Sequence, residues 1–495
     1  MTQICVPVCE KNLSAVRSAC ERASQWADII ELRLDCLDAY PDSVSVSGLQ
    51  RPVILTFRAS EQGGHRKLSR EARMAFWKAQ APRGDDVWWD LEADLAHDLS
   101  PDWSHTIVSH HDFSGVPTNL SEIYEQLAQT PARVLKIAVQ AKDIVDCIPV
   151  FQLIDRAHSE GREIIAIAMG DAGIATRILG PSRGAFLTYG ALDDDSATAP
   201  GQVNARKLRS LYHINKIDSE TMVCGLVGLP VMHSVSPHIH NAAFASEGIN
   251  GVYLPFEVVD VNSFLKRMVH PRTRELDWNL RGLSITAPHK QAVISYLDWI
   301  EPQAKEIGAV NTVVVENDRL LGYNTDAAGL IEPLLSRLDS LAGKKIAIIG
   351  AGGAARAAIW ALQQQKAVVT LFARDLAKAD QLNVPSRALA SASFKDYDVV
   401  INATPLGSGV HIDQTPATQQ QLNGARFVYD LVYNPMETRF LREARDAGCE
   451  TLGGLEMLVA QARIQFELWT STKPSSSIMH DATAALLHDS TAALL

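Results

Sequence analysis

The chain has 495 residues, 46% hydrophobic and 21% charged, with a formal net charge of −11. At about 100–200 residues per domain this is a folded chain with two or three cores, and without a basic block it is not a nucleic-acid binder. Seven cysteines lie scattered without CxxC or zinc-finger spacing, so neither a disulfide framework nor a metal site is expected.

The start MTQICVPVCEKN has neither a basic n-region with an apolar core nor the look of a transit peptide, and no apolar run approaches the roughly 20 residues that span a bilayer. A cytoplasmic protein with no membrane partner is the expectation. Nothing in the sequence sets an oligomeric state.

The first 210 or so residues hold eight apolar strand candidates: ICVPV, DIIELRL, PVILTFR, VWWDLE, HTIVSHHD, RVLKIAV, EIIAIAMG and AFLTYGA. Segments of helical period separate most of them, among them NLSAVRSACERASQWA, REARMAFWKAQ, NLSEIYEQLAQ and IVDCIPVFQLIDRAHSEG. Strands alternating with helices predict an α/β fold with an N-terminal (β/α)8 TIM barrel over residues 1–213. A polar break follows, and a new strand begins at VCGLVGLP. We expect a two-lobed α/β unit there: a substrate-binding lobe over 222–335 and a Rossmann lobe over 336–475, opened by KKIAIIGAGGAARAAIWAL and closed by a returning helix, LEMLVAQARIQFELW. The tail, 476–495, repeats HDATAALL as HDSTAALL, predicting a frayed or weakly docked helix.

Catalysis in such barrels is built at the carboxyl ends of the strands. Glu31, Arg33, Arg58, His111, Lys136, Met169 and Gln202 fall there. An amine in an apolar pocket is partly neutral at pH 7 and able to attack a carbonyl; a strand lysine is also compatible with an edge or snorkelling position. His111 could equally be bonded to backbone, and Glu31 with Arg33 could be a structural ion pair. Taken in order, ELRLD, LTFR followed by GG, SHHDF, LKIA, AMG with GIATR, and ATAPGQ resemble the type I 3-dehydroquinate dehydratases. The resemblance implies dehydration of 3-dehydroquinate to 3-dehydroshikimate, with Lys136 as imine nucleophile and His111 as general acid/base. It further implies Glu31, Arg33 and Arg58 on the substrate, Arg177 on its carboxylate, and Thr198 and Gln202 in a lid. Two positions depart from the family pattern. Gln62 stands where a glutamate usually orients the histidine, predicting slower turnover or an altered pH profile unless Glu61 substitutes, and Thr198 replaces a serine.

In the second half, GAGGAA follows a strand and opens a helix, so Gly350, Gly352 and Gly353, with Ala351 and Ala354, allow close approach of a pyrophosphate; such a turn also occurs for structural reasons alone. Arg374 ends the next strand and favours NADP over NAD, although Asp375 beside it opposes a further phosphate. Lys290 and Asp326 alone could be a surface ion pair. Yet GLPVMHSVSP, SITAPHK, GAVNT, YNTDAAG, INATPLG, YDLVYNP and GGLEMLVAQA together resemble shikimate dehydrogenase. That family places its HSxSP serines, here Ser234 and Ser236, on the substrate carboxylate and uses the Lys290 and Asp326 positions as the catalytic pair. Thr286, Asn311, Tyr433 and Gln461 are then further substrate contacts, with Thr404 and Gly454 on the cofactor side. Ser284 stands where asparagine is common.

The resemblances imply a bifunctional enzyme with NADP(H) and no metal, taking 3-dehydroquinate through 3-dehydroshikimate to shikimate. The alternatives are a chain in which only the dehydrogenase half is fully active, and a dehydrogenase that also accepts quinate.

Overall fold

The computed structural model describes residues 2–39, 46–80 and 86–492, with side chains through 487. Eight parallel strands form the first sheet: β1 (Ile4–Val8), β2 (Ile29–Arg33), β3 (Val53–Thr56), β4 (Val87–Glu92), β5 (Thr106–Asp112), β6 (Val134–Gln140), β7 (Glu163–Met169) and β8 (Thr188–Tyr189). Their order is β7-β6-β5-β4-β3-β2-β1-β8, and the Phe186 amide donates to the Ile164 carbonyl at 2.7 Å, so the sheet nearly closes between β8 and β7. All eight predicted strands form. The predicted helices appear as α1 (Leu13–Ala23), α2 (Arg70–Ala79), α3 (Leu120–Ala128) and α4 (Cys147–Ser159), with α5 (Ile174–Leu179) between β7 and β8.

Side chains alternate along a strand, which sorts the barrel interior into layers. Ile29, Ile54, Trp88, Ile107, Val134 and Ile165 fill one layer as a dry plug. Two residues further along each strand stand Glu31, Thr56, Asp90, Ser109 and Lys136, all buried. Two further again come Arg33, Arg58, Glu92 and His111, also buried. The polar cluster therefore sits on an apolar floor, toward the carboxyl ends of the strands.

The second sheet has six strands, β9 (Met222–Gly228), β10 (Gly251–Glu257), β11 (Leu280–Ile285), β12 (Trp299–Ile300), β13 (Thr312–Glu316) and β14 (Arg319–Tyr323), in the order β10-β9-β11-β13-β14-β12. Helix α6 (Ser236–Ser246) follows β9, and α7 (Asp326–Leu335) follows β14. The third sheet is parallel throughout, with β15 (Lys345–Ile349), β16 (Val368–Ala373), β17 (Ser386–Ala388), β18 (Val399–Asn402), β19 (Phe427–Asp430) and β20 (Glu450–Leu452) in the order β17-β16-β15-β18-β19-β20. This is the doubly wound dinucleotide-binding order. It carries α8 (Gly353–Gln364), α9 (Leu376–Asp380) and the returning α10 (Gly454–Thr470).

Two compact units divide the chain: Met1–Val223, Val227–Met232 and Asn250–Leu280 form one, and Cys224–Leu226, His233–Ile249 and Arg281–Leu495 the other. Two expectations need correction. The tail is not frayed: α11 (Ser476–Ala492) lies against α6 and α10, because Met479, Thr483 and Leu487, spaced four apart, form one buried stripe. Of its repeat, residues 493–495 lie outside the described residues. Also, Cys9 and Cys36 are joined in a disulfide, tying the end of β1 to the turn after β2, while five other cysteines are free and buried.

Candidate active sites

Lys136 lies at the heart of the first unit, but not in the apolar pocket expected of it. Its Nζ donates to Asp90 Oδ2 at 2.8 Å and to Tyr189 Oη at 2.8 Å, with Glu31 Oε1 at 3.5 Å. Asp90 also accepts from Arg58 Nη2 at 2.5 Å, and Arg58 Nη1 donates to His111 Nε2 at 2.6 Å. One buried carboxylate thus ties lysine, arginine and histidine together. Burial pushes the Asp90 carboxyl up, but the Arg58 guanidinium and Lys136 ammonium outweigh it and hold the group well below the usual carboxylate range. Burial and the same two cations push the His111 imidazole well below its ordinary value, so it is neutral at pH 7 and fit to take a proton.

Glu31 accepts from Thr56 Oγ1 at 2.8 Å. Arg33 makes a bidentate pair with buried Asp35, at 3.0 and 2.8 Å, and donates to the Gly63 carbonyl at 2.9 Å. Gln62 does not orient the imidazole: its Oε1 accepts the backbone N–H of His111 at 2.8 Å. His111 Nδ1 is buried without a hydrogen bond, and Glu61 is exposed, so it does not stand in. Arg177 is fully buried on α5, with Nη2 donating to the Pro200 carbonyl at 3.0 Å. It pairs with no carboxylate among the described residues, its Nε is unbonded, and burial pulls its pKa down to about 10. Thr198 and Gln202 bond one another across the ATAPGQ turn, with the Thr198 amide 2.8 Å from Gln202 Oε1. Met169 is buried at the end of β7.

Sequence reasoning missed Asp90 and Tyr189, although both touch the lysine. The signal existed for Asp90: Glu31/Arg33, Asp90/Glu92 and Ser109/His111 are polar pairs two apart near the ends of apolar strands, each facing one side.

In the second unit Lys290 Nζ donates to Asp326 Oδ2 at 2.6 Å. Asn311 Nδ2 donates to Asp326 Oδ1 at 2.8 Å and to Thr325 Oγ1 at 2.9 Å, while its Oδ1 accepts the Thr325 amide at 2.8 Å. The aspartate, at the first residue of α7, is thereby fixed on both oxygens. Ser234 and Ser236 are hydrogen-bonded at 3.1 Å, and the Tyr433 phenol, pushed up by burial, bonds to Ser234. Thr286 is half-buried, its carbonyl accepting the His289 amide at 2.9 Å. Gln461 donates to the Leu458 carbonyl of its own helix at 2.9 Å. Ser284 donates to Gln465 at 2.8 Å, so a residue from α10 completes the shorter side chain.

The glycine turn has room for an anion. Gly350 has φ +114°, and a Cβ on it would come within 2.8 Å of the Thr404 methyl, a place only glycine fills. Gly352 and Gly353 face open space, Ala351 and Ala354 lie in the same turn, and α8 begins with no side-chain cap. Its first amides are thus available to a phosphate. Arg374 is exposed past β16, and the neighbouring Asp375 carboxylate accepts the Lys378 amide at 3.2 Å, capping α9. Thr404 is held through Asn402 Oδ1 at 2.7 Å. Gly454 has a packing reason: a Cβ would fall 2.4 Å from the Leu431 carbonyl. Among the described residues no group of three His, Cys, Asp or Glu is arranged to hold a metal, and no helix is long and apolar enough to cross a membrane.

The type I 3-dehydroquinase family matches residues 4–219, the shikimate dehydrogenase substrate binding domain residues 226–313, and the shikimate 5'-dehydrogenase C-terminal domain residues 454–483. A chloroplastic bifunctional 3-dehydroquinate dehydratase/shikimate dehydrogenase of Arabidopsis thaliana is 32% identical over 503 residues, 94% of this chain and 82% of its own length. The chain belongs to this bifunctional family. It is a 3-dehydroquinate dehydratase and a shikimate dehydrogenase in one polypeptide. Its second half is also 40% identical over 267 residues to a shikimate dehydrogenase (NADP(+)) of Caldanaerobacter subterraneus, covering 52% of this chain and 94% of that protein. A crystal structure of shikimate dehydrogenase in complex with NADP+ superposes with a TM-score of 0.51 at 36% identity, over 55% of this chain and 97% of that one.

Proposed function

We propose that the barrel, residues 1–213, dehydrates 3-dehydroquinate through an imine on Lys136, and that the lobes at 222–335 and 336–475 reduce the product to shikimate. The observation that carries the first step is the buried chain Lys136–Asp90–Arg58–His111. An iminium acidifies the adjacent C–H; neutral His111 takes that proton and returns it to the departing hydroxyl. Glu31, Arg33 and Arg58 hold the polar substituents. Arg177, a buried cation without a carboxylate partner among the described residues, binds the substrate carboxylate, and Thr198 and Gln202 close over it.

For the second step, Ser234 and Ser236 hold the carboxylate of 3-dehydroshikimate, with Thr286, Asn311, Tyr433 and Gln461 about the ring. Lys290 donates a proton to the ketone oxygen as negative charge develops there, and Asp326 orients and stabilises the ammonium. Gly350, Ala351, Gly352, Gly353, Ala354 and Thr404 suit the cofactor's pyrophosphate and nicotinamide ends, and Gly454 lets α10 approach. Exposed Arg374, with Asp375 turned into a helix cap, suits a 2′-phosphate and hence NADPH, which supplies the hydride when bound.

Incubating the chain with 3-dehydroquinate and borohydride tests the first half: a mass gain on the Lys136 peptide is expected, and an unmodified peptide would defeat the imine. Asp326→Asn is expected to lose shikimate formation while retaining dehydration; unimpaired reduction would remove the pair from catalysis. The position of Gln62 favours a second, weaker reading in which the dehydratase is the slower of the two activities, because His111 Nδ1 has no hydrogen-bond partner among the described residues.

A further inference from the structure

Among the described residues the Lys136 amine has three hydrogen-bonding partners, and they are unequal. Asp90 Oδ2 and Tyr189 Oη are each 2.8 Å away, while Glu31 Oε1 is at 3.5 Å. Tyr189 is buried on β8, its ring centroid 4.2 Å from the same Nζ, and it packs among the apolar residues of the barrel floor. In the sheet it registers with Cys5 of β1, itself fully buried. Burial and the nearby Glu31 carboxylate push the phenol well above its ordinary value, so the group stays O–H at any working pH and serves as a fixed hydrogen-bonding dipole rather than a proton donor to bulk.

An ammonium must shed one proton before it attacks a ketone, and the Glu31 carboxylate on the side of the loosest N–H receives it and later returns it to the departing oxygen. The most weakly held of three N–H bonds is the one directed at Glu31, so the lone pair appears on that side while the two short contacts keep the other N–H bonds in place. Attack then forms the N–C bond and breaks the carbonyl π bond. Loss of the oxygen breaks the C–O bond, and the water that leaves carries one proton from the nitrogen together with the proton the ammonium gave up. Ketone plus ammonium thus becomes iminium plus water, and the iminium keeps a single N–H.

We propose that Tyr189 is a positioning residue of the dehydratase: together with Asp90 its hydroxyl fixes two N–H bonds of Lys136, so that the lone pair faces the incoming carbonyl. The inference rests on Lys136 as the imine nucleophile. Its consequence is that Tyr189 speeds imine formation and not the later loss of water from the ring, because the iminium has only one N–H left to share between Asp90 and Tyr189. Misaimed reacting groups lose rate without losing affinity.

Tyr189→Phe in the full chain keeps the ring and removes the Oη. Dehydratase kcat is expected to fall about tenfold or more with KM within about twofold. The rate at which borohydride traps substrate on Lys136 should fall by the same factor, and the isotope effect with 2-deuterated 3-dehydroquinate should shrink toward unity as imine formation becomes limiting. A merely structural role would leave that isotope effect unchanged; the dehydrogenase rate and the unfolding midpoint of the same preparation verify folding. Trapping and isotope effect both unaltered in the variant would overturn the inference alone. Absence of any Lys136 adduct in the unmodified chain would overturn the imine reading beneath it.

Discussion

Replacing Arg177 by methionine should make the barrel more stable and the dehydratase worse. Arg177 is fully buried with one hydrogen bond, to the Pro200 carbonyl, and no carboxylate partner among the described residues. Burial brings its pKa down to about 10; at about 1.4 kcal/mol per pH unit below the usual arginine range this is a cost of ~3 kcal/mol for holding the charge. Methionine fills similar apolar space and forfeits a hydrogen bond of about 1 kcal/mol, leaving a net gain of ~1–2 kcal/mol. For a barrel of this size that raises the unfolding midpoint by roughly 2–8 °C, measured by calorimetry on the full chain. In the same variant the KM for 3-dehydroquinate should rise about 100-fold, the loss of a charge-assisted pair worth ~3 kcal/mol, with shikimate dehydrogenase kinetics unchanged. A lower midpoint together with an unchanged KM would show that Arg177 is a structural cation, and the assignment of the carboxylate site would fall.

Gln62→Glu places a charge where the amide now accepts the His111 backbone N–H. It should raise the imidazole pKa and dehydratase turnover a few-fold, moving the acid limb of the kcat/KM profile upward; a superimposable profile would show that this position does not reach the ring. Arg374→Ser should raise the KM for NADPH about tenfold and leave that for NADH alone, and equal effects on both cofactors would remove the 2′-phosphate argument. His240 is buried with a folded pKa of about 3, against about 6.5 when unfolded. Between these values the unfolded chain binds the extra proton, so stability is present above pH 6.5 and declines as pH falls, by up to about 1.4 kcal/mol per unit. His240→Leu should flatten the fall in unfolding midpoint between pH 6.5 and 4, and an identical slope would mean that the side chain is not neutral in the fold.

The barrel strands were legible because most are runs rich in Val, Ile and Leu bounded by polar or glycine residues, and the residues at their ends because the motifs occur in order. What escaped was pairing across the barrel. Asp90 in VWWDLE and Tyr189 in FLTYG gain meaning only when eight strands bring them to the Lys136 amine, and a single strand gives no sign of which neighbour its inward face will meet. For the same reason the environment of Lys136 was misjudged: its flanking Leu135 and Ile137 point outward, while the inward direction is polar. The Cys9–Cys36 bond joins the ends of adjacent strands, a closeness that spacing along the chain does not encode. The docked tail was hidden by its small residues, since the stripe of Met479, Thr483 and Leu487 is narrow and reads as low complexity.

The most direct test of the account is to give the purified full chain 3-dehydroquinate and NADPH and to follow both shikimate and the oxidised cofactor. One shikimate formed for each NADPH consumed is predicted, with Lys136→Met abolishing the flux from 3-dehydroquinate while leaving the reduction of added 3-dehydroshikimate intact. Shikimate formed from 3-dehydroquinate at an undiminished rate by the Lys136→Met chain would contradict it.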